Sequence, residues 1–105
     1  MRELNLTKEE GVLTARITCE LDHHTARTVR AAIDGVLTGG EVKLLVLDFS
    51  GVPFMDSSGL GLIIGRTDIA SSVGASVKVV GLLPSLRRLV SLSGLGKLEN
   101  LTVAD

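Results

Sequence analysis

A chain of 105 residues, 45% apolar and 22% charged, carries enough apolar mass to bury a core without disulfide or metal staples, and so balanced a composition excludes disorder. A formal net charge of −1, no Trp or Tyr and two Phe exclude the basic footprint and the base-stacking platform of a nucleic-acid binder. Cys19 has no internal disulfide partner, no apolar run approaches the roughly 20 residues of a membrane helix, and no secretion signal opens the chain, so the expectation is a soluble cytoplasmic protein with a single domain over residues 1–105.

Leu4 and Leu6 alternate with polar residues and predict a first strand. Residues 8–11 read as a turn. Val12, Leu13, Ala15, Ile17 and Cys19 form a second strand, which makes an N-terminal β-hairpin and Cys19 a buried structural thiol. Asp22 offers an N-cap oxygen to a first helix, whose apolar stripe is Ala26, Val29, Ile33, Val36 and Leu37, and Gly39-Gly40 stops it. The nearly continuous apolar run at 42–49 predicts a central strand covered on both faces.

Residues 51–53 break that strand. Leu60, Leu62, Ile63, Ile64 and Ile69 mark a second helix after Asp56, Ser57 and Ser58. Gly74 opens a short strand at 77–80. Pro84 suits the first turn of a third helix with the stripe Leu86, Leu89 and Val90, and Gly94 ends it. Residues 98–103 add an edge strand. The order β-β-α-β-α-β-α-β predicts an α/β fold with a mixed, mainly parallel sheet. The second helix contains Gly59, Gly61 and Gly65, each costing roughly 1 kcal/mol relative to alanine, which points to a close approach by the sheet or by a partner.

The segment Phe54-Met55-Asp56-Ser57-Ser58-Gly59-Leu60-Gly61 joins a strand end to a helix start, a common place for function in α/β folds. Serines there serve as helix caps. A hydroxyl at a helix N-terminus is also a good phosphorylation site, because the free N–H groups and the dipole favour added negative charge. A nucleophilic serine would need a base held by a third group, and the Gly-x-Ser-x-Gly elbow is absent, so a hydrolase is not expected. Gly59-Leu60-Gly61-Leu62-Ile63-Ile64-Gly65 misses dinucleotide spacing by one residue. Gly94-Leu95-Gly96-Lys97 lacks the remainder of a phosphate loop, and no cofactor is expected. Adjacent His23 and His24 cannot share a helical face as metal ligands; they are either exposed first-turn residues or polar contacts beside the serine loop. Arg87-Arg88 reads as a solvated helix face before a partner patch.

Two stretches carry a resemblance to a known family: Glu20-Leu21-Asp22-His23-His24-Thr25-Ala26 and the segment from Phe54 to Gly61. Both resemble the anti-sigma factor antagonists, which are STAS-domain proteins, as do Ile63-Ile64-Gly65-Arg66 and the stretch 86–95 ending in Ser93-Gly94-Leu95. The resemblance covers nearly the whole chain. It implies the STAS fold, with helices packed on one side of the sheet, and a non-enzymatic switch. The phosphate acceptor would be Ser58, and Asp22, His23, Asp56, Ser57, Ser58, Gly59 and Gly61 would form the partner-facing edge. The implied partners are an anti-sigma factor serine kinase with bound ATP or ADP and a PP2C-type phosphatase, acting on a monomer. The same domain in a general stress-response circuit, or as a nucleotide or ligand sensor, is the alternative. The family's domain usually continues into a further C-terminal helix, whose contacts would fall outside a sequence ending at Asp105.

Overall fold

The structure, a computed structural model, describes residues 3–104. Strand β1 (Leu4–Glu9) folds back onto β2 (Val12–Ile17) as an antiparallel hairpin, with Leu4 opposite Ile17 and Glu9 opposite Val12. The turn is shorter than the expected 8–11, because Lys8 and Glu9 already pair in the ladder. Glu10 and Gly11 take φ of 48° and 81°. A two-residue turn with both centres at positive φ matches the twist of the strands, and glycine accepts that conformation without steric cost.

After the hairpin the chain alternates α1 (His23–Leu37), β3 (Leu44–Asp48), α2 (Ser57–Ser72), β4 (Ser76–Val80), α3 (Pro84–Ser93), a short 3-10 turn (Leu95–Lys97) and β5 (Leu101–Val103). Sheet order and chain order coincide, β1-β2-β3-β4-β5, and every pairing after the first is parallel. Each parallel connection therefore steps the same way, and right-handed crossovers place the helices on one face. Leu13, Ala15, Ile17, Leu45, Leu47, Phe49, Val77 and Val79 are buried on the covered face. They share one core with Val29 and Ile33 of α1, Leu62 and Ile63 of α2, and Leu86 and Val90 of α3.

Three expectations need correction. The run 42–49 is not covered on both faces: Leu45 and Leu47 are buried, while Leu44, Val46 and Asp48 are only half-buried on the opposite side. As the middle strand, β3 has β2 and β4 on either side, and these flank its open-face residues edge-on without any helix above. The second strand stops at Ile17, so Cys19 lies beyond it, half-buried; burial, then the Glu3 and Asp22 carboxylates, push its thiol up. The last strand is shorter than 98–103, because left-handed Gly94 (φ 79°) leads into the 3-10 turn first.

Polar ties fix α2 against its neighbours. Arg66 Nε lies 2.7 Å from Asp34 Oδ1 of α1, an ion pair whose off-axis geometry leaves neither atom in an aligned hydrogen bond. Burial lowers the Arg66 pKa and Asp34 opposes that shift. At the far end Asn100 Nδ2 donates to the carbonyls of Thr67 (3.0 Å) and Ala75 (3.3 Å). The N-terminal end of α2 is positioned by a different device.

Candidate functional site

That device is a single parallel bridge between Leu21 and Met55. The Leu21 N–H donates to the Phe54 carbonyl (3.0 Å), and the Asp56 N–H donates to the Leu21 carbonyl (3.1 Å). Both residues are buried, which shields these bonds from water. The bridge stitches the loop after β2 to the loop after β3, so α1 and α2 begin side by side at the C-terminal edge of the parallel strands. The two segments singled out in the sequence are thereby brought onto one surface.

Each helix starts on an aspartate. Asp22 caps α1 through a reciprocal box: its carboxylate accepts from the Thr25 N–H (2.9 Å), and its own N–H donates to the Thr25 hydroxyl (3.0 Å). Those bonds from Thr25, the backbone one first, hold the Asp22 carboxyl below its ordinary range. Asp56 caps α2, accepting from the Ser58 N–H at 2.7 Å. The capping role given to the serines therefore belongs to Asp56. Ser57 and Ser58 occupy the first two helical positions, and among the described residues neither hydroxyl takes part in a hydrogen bond.

The histidines separate. His23 lines a groove of about 220 Å³ between α1 and α2, together with Arg27, Arg30, Ser58 and Gly61. Its Nε2 lies 3.5 Å from Arg27 Nη2. His24 faces the other side of α1, near Glu3 and Thr28. His23 thus sits beside the serine loop and His24 does not. No hydrogen bond joins His23 to either serine, so no Ser–His–carboxylate relay is assembled among the described residues. No group of metal-ligating side chains is present among them either.

The three helical glycines also divide. A Cβ on Gly59 would collide with Met55, at 2.5 Å from its Sδ and 2.8 Å from its Cβ, so this glycine is needed for close packing of the loop that precedes it. A Cβ on Gly61 or Gly65 meets nothing within 4 Å. A close approach thus exists at one of the three, and it comes from the preceding loop, whereas the sequence pointed to the sheet or a partner. Two features went unread in the sequence. Phe54 is 55% exposed beside the serine loop. Arg27 and Arg30 recur at helical spacing from His23, a signal that was present but had no meaning until α2 was known to start alongside.

A family model described as the STAS domain matches residues 3–104. The anti-sigma F factor antagonist of Paenibacillus polymyxa is 36% identical over 96 residues, covering 91% of this chain and 82% of that protein. The anti-sigma-B factor antagonist of Bacillus subtilis (strain 168) is 27% identical over 93 residues, covering 88% and 83%. Among solved structures, the Bacillus cell fate determinant SpoIIAA in its phosphorylated form superposes with a TM-score of 0.75 at 30% identity, covering 97% of this chain and 91% of that one. The chain belongs to the STAS-domain family and, within it, to the anti-sigma factor antagonists. Its work is partner switching, a regulatory and non-catalytic function. Among the described residues no helix is long and apolar enough to cross a membrane.

Proposed function

We propose that the unmodified chain binds an anti-sigma factor kinase through the bridged surface of Asp22, His23, Asp56, Ser57, Ser58, Gly59 and Gly61, and so frees the sigma factor. Ser58 is then the switch. Its hydroxyl oxygen bonds to the γ-phosphorus of ATP, the bond to the departing ADP breaks, and the proton leaves to a base on the kinase. A PP2C-type phosphatase restores the serine by hydrolysing the phosphoester. These partners place the chain in the cytoplasm, where ATP and sigma factors are. Identity of 36% to the sigma F type against 27% to the sigma B type favours a sporulation-like circuit over a stress circuit.

The observation that carries this reading is the unengaged Ser58 hydroxyl in the first turn of a helix that Asp56 already caps. Phosphate there adds roughly −1.5 to −2 charges without removing a fold contact. Pressed against a partner without a cation to pair, such a group costs several kcal/mol; about 4 kcal/mol would weaken binding on the order of a thousandfold. Intact-mass measurement after incubation with the anti-sigma kinase and ATP tests the site. One added phosphate on the native chain and none on Ser58→Ala is expected. Ser58→Asp should bind the kinase weakly and Ser58→Ala should stay bound in the presence of ATP. Phosphate retained by Ser58→Ala, or undiminished binding by Ser58→Asp, would overturn the reading.

A further inference from the structure

His23, Arg27 and Arg30 lie on one face of α1 and look across a groove of about 220 Å³ at Ser58 and Gly61 of α2. Among the described residues neither arginine is in an ion pair: the carboxylate available on this side, Asp34, is taken by buried Arg66. Arg30 is close enough to Arg66 to disfavour its charge. Arg27 and Arg30 thus line the groove with no carboxylate among its lining residues, in a chain whose net charge is −1. Like charges at this spacing repel, so the groove is short of negative charge, and the shortage begins at Ser58. Gly61 has no side chain and leaves open space where a group on Ser58 would turn inward.

We infer that this groove receives the phosphate of modified Ser58, with Arg27 and Arg30 as its cations. The inference rests on the Ser58 switch proposed above and adds its receiving pocket. Guanidinium groups pair bidentately with phosphate oxygens, and His23, facing Arg27, supplies a further ring nitrogen at the groove mouth. From the α2 side the facing charge is Asp56, whose carboxylate holds the Ser58 N–H and repels a phosphate away from the cap and toward α1. Pairing with the arginines offsets part of the added charge, so the off state also acts on the docking face through shape. It fills the groove over Gly61 and withdraws two arginines that the unmodified surface presents to a partner.

The test uses phosphoserine incorporated genetically at position 58, which needs no kinase, and follows its second ionisation by phosphorus NMR. In the otherwise native chain the second pKa should fall about one unit below its ordinary value of about 6, with the shift shrinking in high salt. In Arg27→Gln/Arg30→Gln it should return toward that of a phosphoserine peptide. Both positions are exposed, and a thermal melt of the unphosphorylated double variant verifies folding. An unshifted native value would overturn the pocket. So would an equal shift in the double variant, which would assign the effect to the helix amides alone. If the kinase never modifies Ser58 while the arginine-dependent shift is present, the switch fails and the pocket stands.

Discussion

Gly59→Ala and Gly61→Ala lie two positions apart on α2 and are expected to move stability in opposite directions. Replacing a helical glycine by alanine gains about 1 kcal/mol when the added methyl is free. At Gly61 it is free, with no atom within 4 Å, so the whole gain should appear. At Gly59 the methyl carbon would sit 2.5 Å from Met55 Sδ, 2.8 Å from its Cβ and 2.9 Å from its Cγ. The sulfur can swing aside. The Cβ cannot, because Met55 is buried and its backbone is held in the bridge to Leu21. Overpacking of this kind costs about 1–3 kcal/mol, which exceeds the propensity gain and leaves Gly59→Ala destabilised by up to about 2 kcal/mol. For a domain of this size about 1 kcal/mol moves Tm by about 4 °C or more. Calorimetric melts should therefore show Gly61→Ala a few degrees above the parent and Gly59→Ala several degrees below. A Gly59→Ala protein melting at or above the parent would refute the packing argument. Titration calorimetry against the anti-sigma kinase adds a second axis: Gly61→Ala, though more stable, should bind more weakly, because its methyl projects from the proposed docking face.

The Asp34–Arg66 pair gives a coupled prediction. Arg66 is 4% exposed at its side chain and Asp34 28%, so Asp34→Ala strands a buried cation that water reaches poorly, at a cost of about 2–3 kcal/mol, near the lower end for a broken buried pair. Urea unfolding should show most of that loss recovered in Asp34→Ala/Arg66→Met; equal midpoints for the single and double variants would count against it. Asp22 makes a pH prediction whose sign follows from its lowered pKa. Its contribution is fully present above the ordinary carboxyl value of 3.8 and is lost as pH falls through the lower folded-state value. The urea-midpoint advantage of the native chain over Asp22→Asn should be constant near neutrality and vanish in strong acid, whereas an advantage unchanged down to about pH 2 would sink the idea.

Some of these features could be read from the residues and some could not, for physical reasons. Helix α1 was legible because its buried residues Ala26, Val29, Ile33 and Leu37 fall on one stripe. The element order and the parallel sheet followed from strands alternating with helical segments. The faces of β3 were not legible, because Leu44 and Val46 half-bury themselves beside neighbouring strands and leave an unbroken apolar run. The cap of α2 was ambiguous in kind: serine and aspartate are nearly equal as caps. What decides it is the Asp56 N–H bonded to the Leu21 carbonyl, which fixes that residue in the extended conformation an N-cap needs. That bond joins loops distant in sequence, and Leu21 and Met55 in isolation read only as core. The arginine groove failed for the same reason: its α1 half was written in the spacing, and its α2 half existed only after the loops were joined.

The division of work between Asp56 and Ser58 bears on why the switch proposed at Ser58 would leave the fold alone. Were the modified hydroxyl itself the cap, phosphorylation would exchange a hydrogen bond that starts the helix for a bulky dianion, and the on and off forms would differ in stability by the cap's worth of about 1 kcal/mol. Here Asp56 holds the cap and the bridge holds Asp56, so the Ser58 hydroxyl carries no share of the folding energy. The helix N-terminus would still favour the added negative charge, and in the proposed pocket the groove arginines would favour it further. A modified domain is therefore expected to be at least as stable as the unmodified one, and the free energy of phosphorylation is available to act on the partner alone. The energetic separation of cap from proposed acceptor, more than the presence of a serine, is what would suit this helix start to a reversible switch.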